Sequence, residues 1–368
     1  MAQKKRRFDP KSPEIKAYLK DVHFGTFTRE GTLVAFPTCF PGMTAPIVHD
    51  ESHITALDTT PDGFVYGGTG GRQAHLFVAT FHGLGGMVLD IGRPAGATGC
   101  AAVCCGGARV AAFVNGARGG RVVSAPLMRL GGEDLIQEWG FELPPLTDHG
   151  ECVAGEPVVH AVTDAARKTA VGITAKHLFT VDLDAPKVQV VGEIAGTGRI
   201  AVASRGGVFG RDEGGTLWRY DAAARAIKRR AVKLPSGFGD APLVWASRGR
   251  GGLLYTAAAD GTLYSFDEDK GFSAPLGKTL LAPVGPMAVT FDGRVFGFCG
   301  DEIAKMFCYD PGKREVSNLG VAASVIERRR YGYVFGDAVT GRDGEIVFGE
   351  DDNGGHVWLY FPRVQERA

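Results

Sequence analysis

The chain has 368 residues, and its 41 Lys and Arg residues balance 41 Asp and Glu residues. Nucleic-acid-binding proteins need a strong basic excess, so this zero net charge predicts no nucleic-acid partner. No apolar run approaches the roughly 20 residues of a membrane-spanning helix, so we expect no membrane association. The basic start lacks the apolar stretch of a secretory signal, which predicts a cytoplasmic protein if residue 1 is the native start.

The N-terminal part precedes any repeated pattern. Residues 1–20 are predicted to form a tail, because the basic cluster from Lys4 to Arg7 is typical of a solvated segment. The stretch GTLVAFP at residues 31–37 then reads as a single strand without a neighbouring partner. Its partner must therefore come from a distant part of the chain.

A unit of about 40 residues recurs along the rest of the chain. Residues 54–81 read as an apolar strand, a turn with Asp62 and Gly63, a second strand FVYGGT, a glycine-rich turn and a third strand HLFVATF. The same order begins again at Val158 and recurs in four later segments, and a weaker copy starts at Cys100. Together these copies make seven units.

The third strands of the units align best. They read HLFVAT, HLFTVD, TLWRYD, TLYSFD, KMFCYD and HVWLYF, and inward apolar residues alternate with outward polar ones. Several copies continue to a Leu-Gly pair, as in PLGK and SNLG, which we interpret as an outermost fourth strand. The 54 glycines, about twice the usual share, suggest many tight turns between these strands.

Strands clustered in fours at this period predict an all-β, seven-bladed β-propeller with four antiparallel strands per blade. The blades would run from about residue 53 to 362, within a single domain at residues 21–368. Blade 7 has little chain left for a fourth strand, so residues 31–37 are predicted to supply it and close the ring. The alternative is two unrelated β-domains of about 180 residues each, but no linker or composition shift marks a boundary.

The seven cysteines include Cys100, Cys104 and Cys105 in the run GCAAVCCGG. Their odd number and the absence of a C-x-x-C pair indicate reduced thiols. Cys100 and Cys104 would share one strand face, but we interpret all three as buried small hydrophobic residues. Three tryptophans are likewise expected between blades: Trp218, Trp245 and Trp358.

The candidate site is predicted on one face of the disc. Turns between second and third strands lie on the same face as the connections that enter each blade, and we call this the upper face. His75, His177 and His356 all stand at the start of a third strand. Histidine titrates near neutral pH and suits proton transfer. The structural alternative for each is a hydrogen-bonded residue of its own blade.

Other polar residues should share the upper face. Arginine can hold a carboxylate by two hydrogen bonds, and tyrosine can give a proton to a leaving oxygen. The histidines could instead bind a divalent metal, although no metal-binding spacing such as H-E-x-x-H occurs. The residues concerned are His49, His53, Arg72, Glu156, His160, Arg328, Arg329, Arg330, Tyr331 and Tyr333.

A blade with an Asp-Gly turn, an aromatic strand, a "Leu-Phe-x-x-Asp" phrase and a closing Leu-Gly resembles the propellers of carbohydrate-active enzymes. It is similar to the seven-bladed oligogalacturonate and ulvan lyases. This resemblance implies β-elimination on uronate-containing glycans, in which a base takes the proton beside a carboxylate and a cation or metal neutralises that carboxylate. By this resemblance His75 or His177 would be the base, Arg72 or Arg329 the carboxylate clamp, and Tyr331 the acid.

The predicted function is therefore a carbohydrate-active enzyme, a lyase or glycoside hydrolase, acting on uronate- or rhamnose-containing oligosaccharides. His49, His53, Tyr333 and His356 would complete the substrate-binding ring. The main alternative is a non-catalytic propeller that binds a protein partner. Other propeller enzymes, such as lactonases and metal-dependent oxidoreductases, remain open as well, because fold does not decide function.

Overall fold

Seven sheets are arranged as a β-propeller with blades of four antiparallel strands, as predicted, and the sheet of blade 6 has a short fifth strand. The computed structural model describes residues 12–13, 16, 31–38, 47–82, 85–128, 145–246, 252–325 and 331–363. Most of the predicted tail at residues 1–20, Cys39 and the arginines at 328–330 lie outside the described residues. The first strands of neighbouring blades contact one another around the axis.

The strands follow the chain blade by blade. The closing strand and blades 1 to 3 contain β1 (Thr32–Pro37), β2 (His53–Thr59), β3 (Val65–Gly70), β4 (Leu76–His82), β5 (Gly85–Gly92), β6 (Ala97–Gly106), β7 (Arg109–Gly116), β8 (Gly119–Pro126), β9 (Thr147–Glu151), β10 (Val158–Asp164), β11 (Thr169–Thr174), β12 (His177–Asp182) and β13 (Val188–Glu193). Blades 4 to 7 contain β14 (Ala201–Val202), β15 (Val208–Asp212), β16 (Thr216–Asp221), β17 (Ala226–Lys233), β18 (Leu254–Ala257), β19 (Thr262–Asp267), β20 (Gly271–Phe272), β21 (Gly277–Lys278), β22 (Val284–Val289), β23 (Val295–Cys299), β24 (Lys305–Asp310), β25 (Glu315–Ala323), β26 (Tyr331–Gly332), β27 (Phe335–Thr340), β28 (Ile346–Glu350) and β29 (His356–Phe361). Single 3₁₀ turns lie at His49–Glu51 and Ala165–Arg167.

The ring is closed by β1, which pairs antiparallel with β29 from Thr32 opposite Phe361 to Pro37 opposite His356. Leu33 and Val34 of this strand are fully buried. Leu33 packs in a core cluster with Trp358 and Tyr360 of β29. The predicted closing strand at residues 31–37 is therefore confirmed and begins one residue later.

Third strands agree closely with their predicted bounds. Those beginning at His177, Thr216, Thr262, Lys305 and His356 have the predicted bounds at both ends, and in blade 1 the strand begins one residue late at Leu76. The predicted outer segments PLGK and SNLG contribute to β21 and β25, which pair with the third strands of blades 5 and 6. Period-two alternation was therefore a sufficient signal for these strands.

Glycine has a second role besides turn formation. Gly67, Gly172 and Gly210 lie inside second strands, each paired with an aromatic residue of the third strand. A Cβ atom at Gly172 would lie 2.2 Å from the ring of Phe179, and one at Gly210 equally close to Trp218. These strands need glycine because the neighbouring ring lies directly over the backbone.

The predicted buried thiols and tryptophans are found in the core. Cys100, Cys104 and Cys105 are buried and unpaired, and Trp218 and Trp358 are fully buried. The prediction that Cys100 and Cys104 share a strand face was wrong. A β-bulge between Cys100 and Ala102 reverses the alternation, so the two thiols pack in different interblade clusters.

Among the described residues, no helix combines the length and apolar character needed to cross a bilayer.

We expect truncation of the buried closing strand to destabilise the whole ring. Leu33→Ala removes a fully buried side chain at the seam, which should lower the free energy of unfolding by about 3 kcal/mol. Urea unfolding followed by circular dichroism measures this change. Val190→Ala, at a residue 54% exposed on the edge strand β13, should change it by less than about 0.5 kcal/mol. Equal effects of the two variants would contradict the role of β1.

Candidate active site

A cavity of about 730 Å³ lies on the propeller axis. Its walls include residues of the first strands of blades 1, 2, 3, 4 and 7, together with Trp245 and Ala246 of blade 5. Its mouth lies among the turns that join first to second strands, where Pro61, Arg167, Arg205 and Arg342 are found. This is the lower face, opposite to the face on which the candidate site was predicted.

Asp58 is the most perturbed acid of the cavity. Its carboxylate accepts hydrogen bonds from the backbone N–H groups of Thr59 and Cys105, at 2.8 and 2.7 Å, and from the hydroxyl of Thr163 at 2.9 Å. Burial outweighs these bonds and raises the pKa of Asp58 to about 6. Asp58 therefore joins blades 1, 2 and 3 and changes its charge near neutral pH.

His160 lines the same cavity from β10. Burial, together with the nearby charge of Arg199, holds the pKa of His160 well below its usual value, so the imidazole is neutral at pH 7. Its Nδ1 accepts the backbone N–H of Ile200 at 3.3 Å. The proton of the neutral ring is consequently on Nε2, which makes this nitrogen a hydrogen-bond donor.

An ion pair crosses the axis. Arg199, just before β14 of blade 4, donates to the carboxylate of Asp337 and to the carbonyl of Gly336 in blade 7. Asp337 also accepts the backbone N–H of Leu57 in blade 1 at 2.7 Å. Because Arg199 lies at the start of the first strand of its blade, this pair marks the end of the cavity furthest from the mouth.

The cavity thus combines three chemical functions. Asp58 can act as a base once ionised, the Nε2–H of His160 can donate a hydrogen bond, and Arg199 supplies a fixed positive charge. Strongly shifted titrations in a concave site are typical of catalytic groups. The geometry is therefore suited to proton transfer on a small polar ligand.

His75 has a different environment from the one predicted. Its Nε2 lies 2.9 Å from Glu51 and its Nδ1 lies 2.9 Å from Asp90, and the three side chains are only 0%, 1% and 4% exposed. Burial disfavours the charged ring, but the hydrogen bonds to Asp90 and Glu51 outweigh it and raise the pKa of His75. The structure places His75 between two carboxylates inside blade 1, and these hydrogen bonds favour the charged ring.

The other two histidines of the column also have carboxylate partners in their own blades. His177 Nδ1 lies 3.0 Å from Glu156, and His356 Nδ1 lies 3.2 Å from Glu350. The repeat therefore places the three imidazoles at equivalent positions without bringing them together. None of the described residues predicted as catalytic or substrate-binding lines the axial cavity.

The remaining predicted residues lie on the upper face near the seam between blades 1 and 7. His49 donates to the carbonyl of Asn353, and His53 contacts Asp351 at 3.1 Å and the side chain of Asn353 at 2.7 Å. Arg72 donates to Glu51 at 2.8 Å. Tyr331 and Tyr333 follow at the connection into blade 7, and Arg329 lies outside the described residues. The catalytic roles assigned to this set stay predictions.

The predicted metal site was not found in the described part of the chain. No three His, Cys, Asp or Glu side chains are grouped there to hold an ion. A metal requires several convergent donors. His75, His177 and His356 instead pair with carboxylates of their own blades, and His53 pairs with Asp351 across the seam. We therefore derive no chemistry through a metal.

The cavity residues could have been found from one signal. First strands line the axis of a propeller, and three of them carry a charged or polar residue within an apolar strand: Asp58 in ITALDTT, His160 in VVHAVTD and Asp337 in FGDAVT. His160 was assigned to the opposite face. Arg199 lies outside the strand and gave no comparable signal.

Comparisons with known proteins show the fold. No family model matches the chain, and no curated protein matches it significantly. Virginiamycin B lyase from Staphylococcus aureus superposes with a TM-score of 0.63 at 8% identity, over 91% of this chain and all of that one. The WD40 repeats of RRP9 give 0.58 at 12% identity over 91% and 100%, and the WD40 propeller of Doa1 gives 0.52 at 11% over 90% and 98%. The chain is a seven-bladed β-propeller like these.

We expect removal of the buried imidazole to destabilise blade 1 in a pH-dependent way. His75→Gln leaves Glu51 and Asp90 without their shared cation, which should lower the free energy of unfolding by about 3–5 kcal/mol. Because the pKa of His75 is raised, its contribution is complete below about pH 6.5 and is lost as the pH rises through the folded pKa. The pKa of Glu51 is lowered, since its bonds to His75 and Arg72 outweigh burial, so its contribution is lost in acid.

Thermal unfolding of both proteins between pH 4 and 9 tests this expectation. The gap between wild type and His75→Gln should be widest near pH 5–6 and narrow towards pH 9. His49→Gln, at an exposed residue with one hydrogen bond to a backbone carbonyl, is the control and should change stability little. A gap independent of pH would contradict a charged His75.

Proposed function

We propose that this protein is a lyase whose active site is the axial cavity, and that its substrates are uronate-containing oligosaccharides. The observation that carries the proposal is the Asp58 carboxyl group, held at a pKa of about 6 in the same cavity as His160 and Arg199. A cavity of about 730 Å³ is of the size that small-molecule sites usually have. In a chain that also contains rhamnose, the uronate units would be the ones that bind in the cavity.

In the proposed reaction, ionised Asp58 takes the proton from the carbon beside the uronate carboxylate. The electron pair of that C–H bond forms a C=C bond, and the glycosidic C–O bond breaks. The departing oxygen takes the proton back from Asp58, while the Nε2–H of His160 donates a hydrogen bond to it. Positive charge near the carboxylate favours this elimination, because it stabilises the carbanion-like transition state.

Two further observations agree with the proposal. Arg167, Arg205 and Arg342 surround the mouth, although each also contacts a neighbouring aspartate. Virginiamycin B lyase, one of the solved structures with this fold, is named as a lyase. The arginines favour an acidic substrate, and a lyase among the structures with this fold agrees with an elimination reaction.

The proposal predicts a pH profile and one sensitive residue. Production of unsaturated product from trigalacturonate, followed by ultraviolet absorbance, should show a kcat/KM that rises through a pKa of about 6 as Asp58 ionises. Asp58→Asn should lower kcat/KM by about 100-fold or more and remove this titration. Asp62→Asn, at an exposed turn of the same blade, is the matched control. Unchanged turnover by Asp58→Asn would overturn the proposal.

A protein-binding scaffold is the second candidate, favoured by exposed apolar residues beside the last blade. Val325, Tyr333 and Val334 are 62%, 42% and 36% exposed around the connection from blade 6 to blade 7. Val325 follows β25, whereas Tyr333 and Val334 precede β27, and exposed apolar surface of this kind is typical of interaction sites when it is contiguous. Several structures with this fold are WD40 repeats, a further reason to consider this function.

The two candidates make opposite predictions for paired variants. If the protein is a scaffold, Val325→Ser combined with Val334→Ser should abolish capture of its partner in a pull-down, while Asp58→Asn should capture it normally. If the axial cavity is the functional site, Asp58→Asn should abolish turnover and the surface variant should remain active. Folding of both variants is checked by circular dichroism.

A further inference from the structure

We propose that Arg199 is the carboxylate-binding residue of the axial cavity, and that Asp337 competes with the ligand for it. The inference rests on the cavity being the ligand site, as proposed above, and adds the group that the site recognises. It predicts that the protein prefers ligands with a carboxylate over neutral ligands of the same shape.

The position of Arg199 is the first reason. Its side chain starts in blade 4 and ends against Asp337 and Gly336 in blade 7, so it spans the axis instead of following the wall. It lines the cavity, and 24% of its side chain is exposed. A ligand that fills the cavity to the end furthest from the mouth therefore meets the guanidinium group.

The donor capacity of Arg199 is the second reason. A guanidinium group has five N–H donors in one plane, and this geometry matches a carboxylate. Within the described part of the chain, Asp337 and Gly336 are its two side-chain partners, each bonded by a different terminal nitrogen. Three N–H donors are left, which is enough for a charge-assisted pair with a second carboxylate.

Asp337 is built to tolerate such competition. Its Oδ2 accepts the backbone N–H of Leu57 at 2.7 Å, and its Oδ1 accepts the backbone N–H of Ala338 at 2.9 Å. These two bonds remain when Arg199 turns towards a ligand, so the carboxylate of Asp337 is not left unpaired. Its negative charge nevertheless attracts Arg199 and repels an incoming carboxylate.

Trp245 provides a built-in reporter. Its indole Nε1–H donates to the carbonyl of Arg199 at 3.2 Å, and the ring lines the cavity. A ligand at Arg199 should therefore change the fluorescence of Trp245. Trp245→Phe identifies that part of the signal, because it leaves the other three tryptophans, Trp139, Trp218 and Trp358, in place.

The test compares acidic probes with neutral counterparts. Trigalacturonate and its methyl ester, and glutarate and glutaramide, are titrated into the full-length protein by calorimetry and tryptophan fluorescence. Wild type should bind the acids better than the neutral probes. Arg199→Gln should weaken binding of the acids about tenfold or more. Asp337→Asn should strengthen it by about tenfold, because the competing charge is gone. Neither variant should change binding of the neutral probes.

A matched control is Arg225→Gln, which removes an equal charge from an exposed turn of blade 4 outside the cavity, where the arginine donates to Gln189. It should leave the preference for acids unchanged. If Arg199→Gln fails to fold, the change in acid affinity caused by Asp337→Asn tests the inference by itself. A purely structural ion pair would give no gain in that affinity. Weaker acid binding by Asp337→Asn, or no preference for acids in wild type, overturns the inference.

The outcomes separate the inference from the proposed function. If acids bind in a way that depends on Arg199 but trigalacturonate is not turned over, the inference is supported and the lyase proposal is contradicted. If turnover is unaffected by Arg199→Gln, the inference is contradicted, and the lyase proposal then rests on Asp58.

Discussion

Antiparallel pairing of β1 with β29 is the constraint on which the rest of the structure depends. Without it, blade 7 would lack its outer strand and the sheet would end in an exposed edge. The seam also positions the cavity, because Asp337 of blade 7 accepts the backbone N–H of Leu57 in blade 1. The closing strand and the axial site therefore depend on the same seam between blades 1 and 7.

Charged side chains line the axial cavity, although the inner strands of a propeller could be wholly apolar. Asp58 and Asp337 each accept backbone N–H groups from a neighbouring blade, and Arg199 crosses to the opposite side of the ring. Burying these groups costs free energy unless every partner is in place. The hydrogen bonds between blades recover part of that cost and hold the groups in one geometry. These backbone bonds hold the two aspartates in place, whereas the Arg199 side chain can exchange Asp337 for a ligand.

The two faces of the disc use their histidines differently. On the upper face, His75 and His177 contact carboxylates of their own blades, so their recurrence in the repeat reflects a shared packing solution. Towards the axis, His160 is kept neutral by burial and by Arg199, and it faces the cavity that opens on the lower face. A residue column in a repeat protein thus marks equivalent positions, which need not converge on one site.

Local patterns were sufficient to predict the seven blades, the bounds of most third strands and the closing role of residues 31–37, because strand alternation and a repeat of about 40 residues are properties of short segments. The candidate site could not be predicted from such local patterns. Asp58 and Arg199 are 141 residues apart in sequence, and Arg199 and Asp337 are 138 apart. Only ring closure brings the three side chains to one cavity. A β-bulge at Cys100 likewise reversed which side chains face each other. Burial and charge pairing across blades decide these features, and no segment carries that information alone.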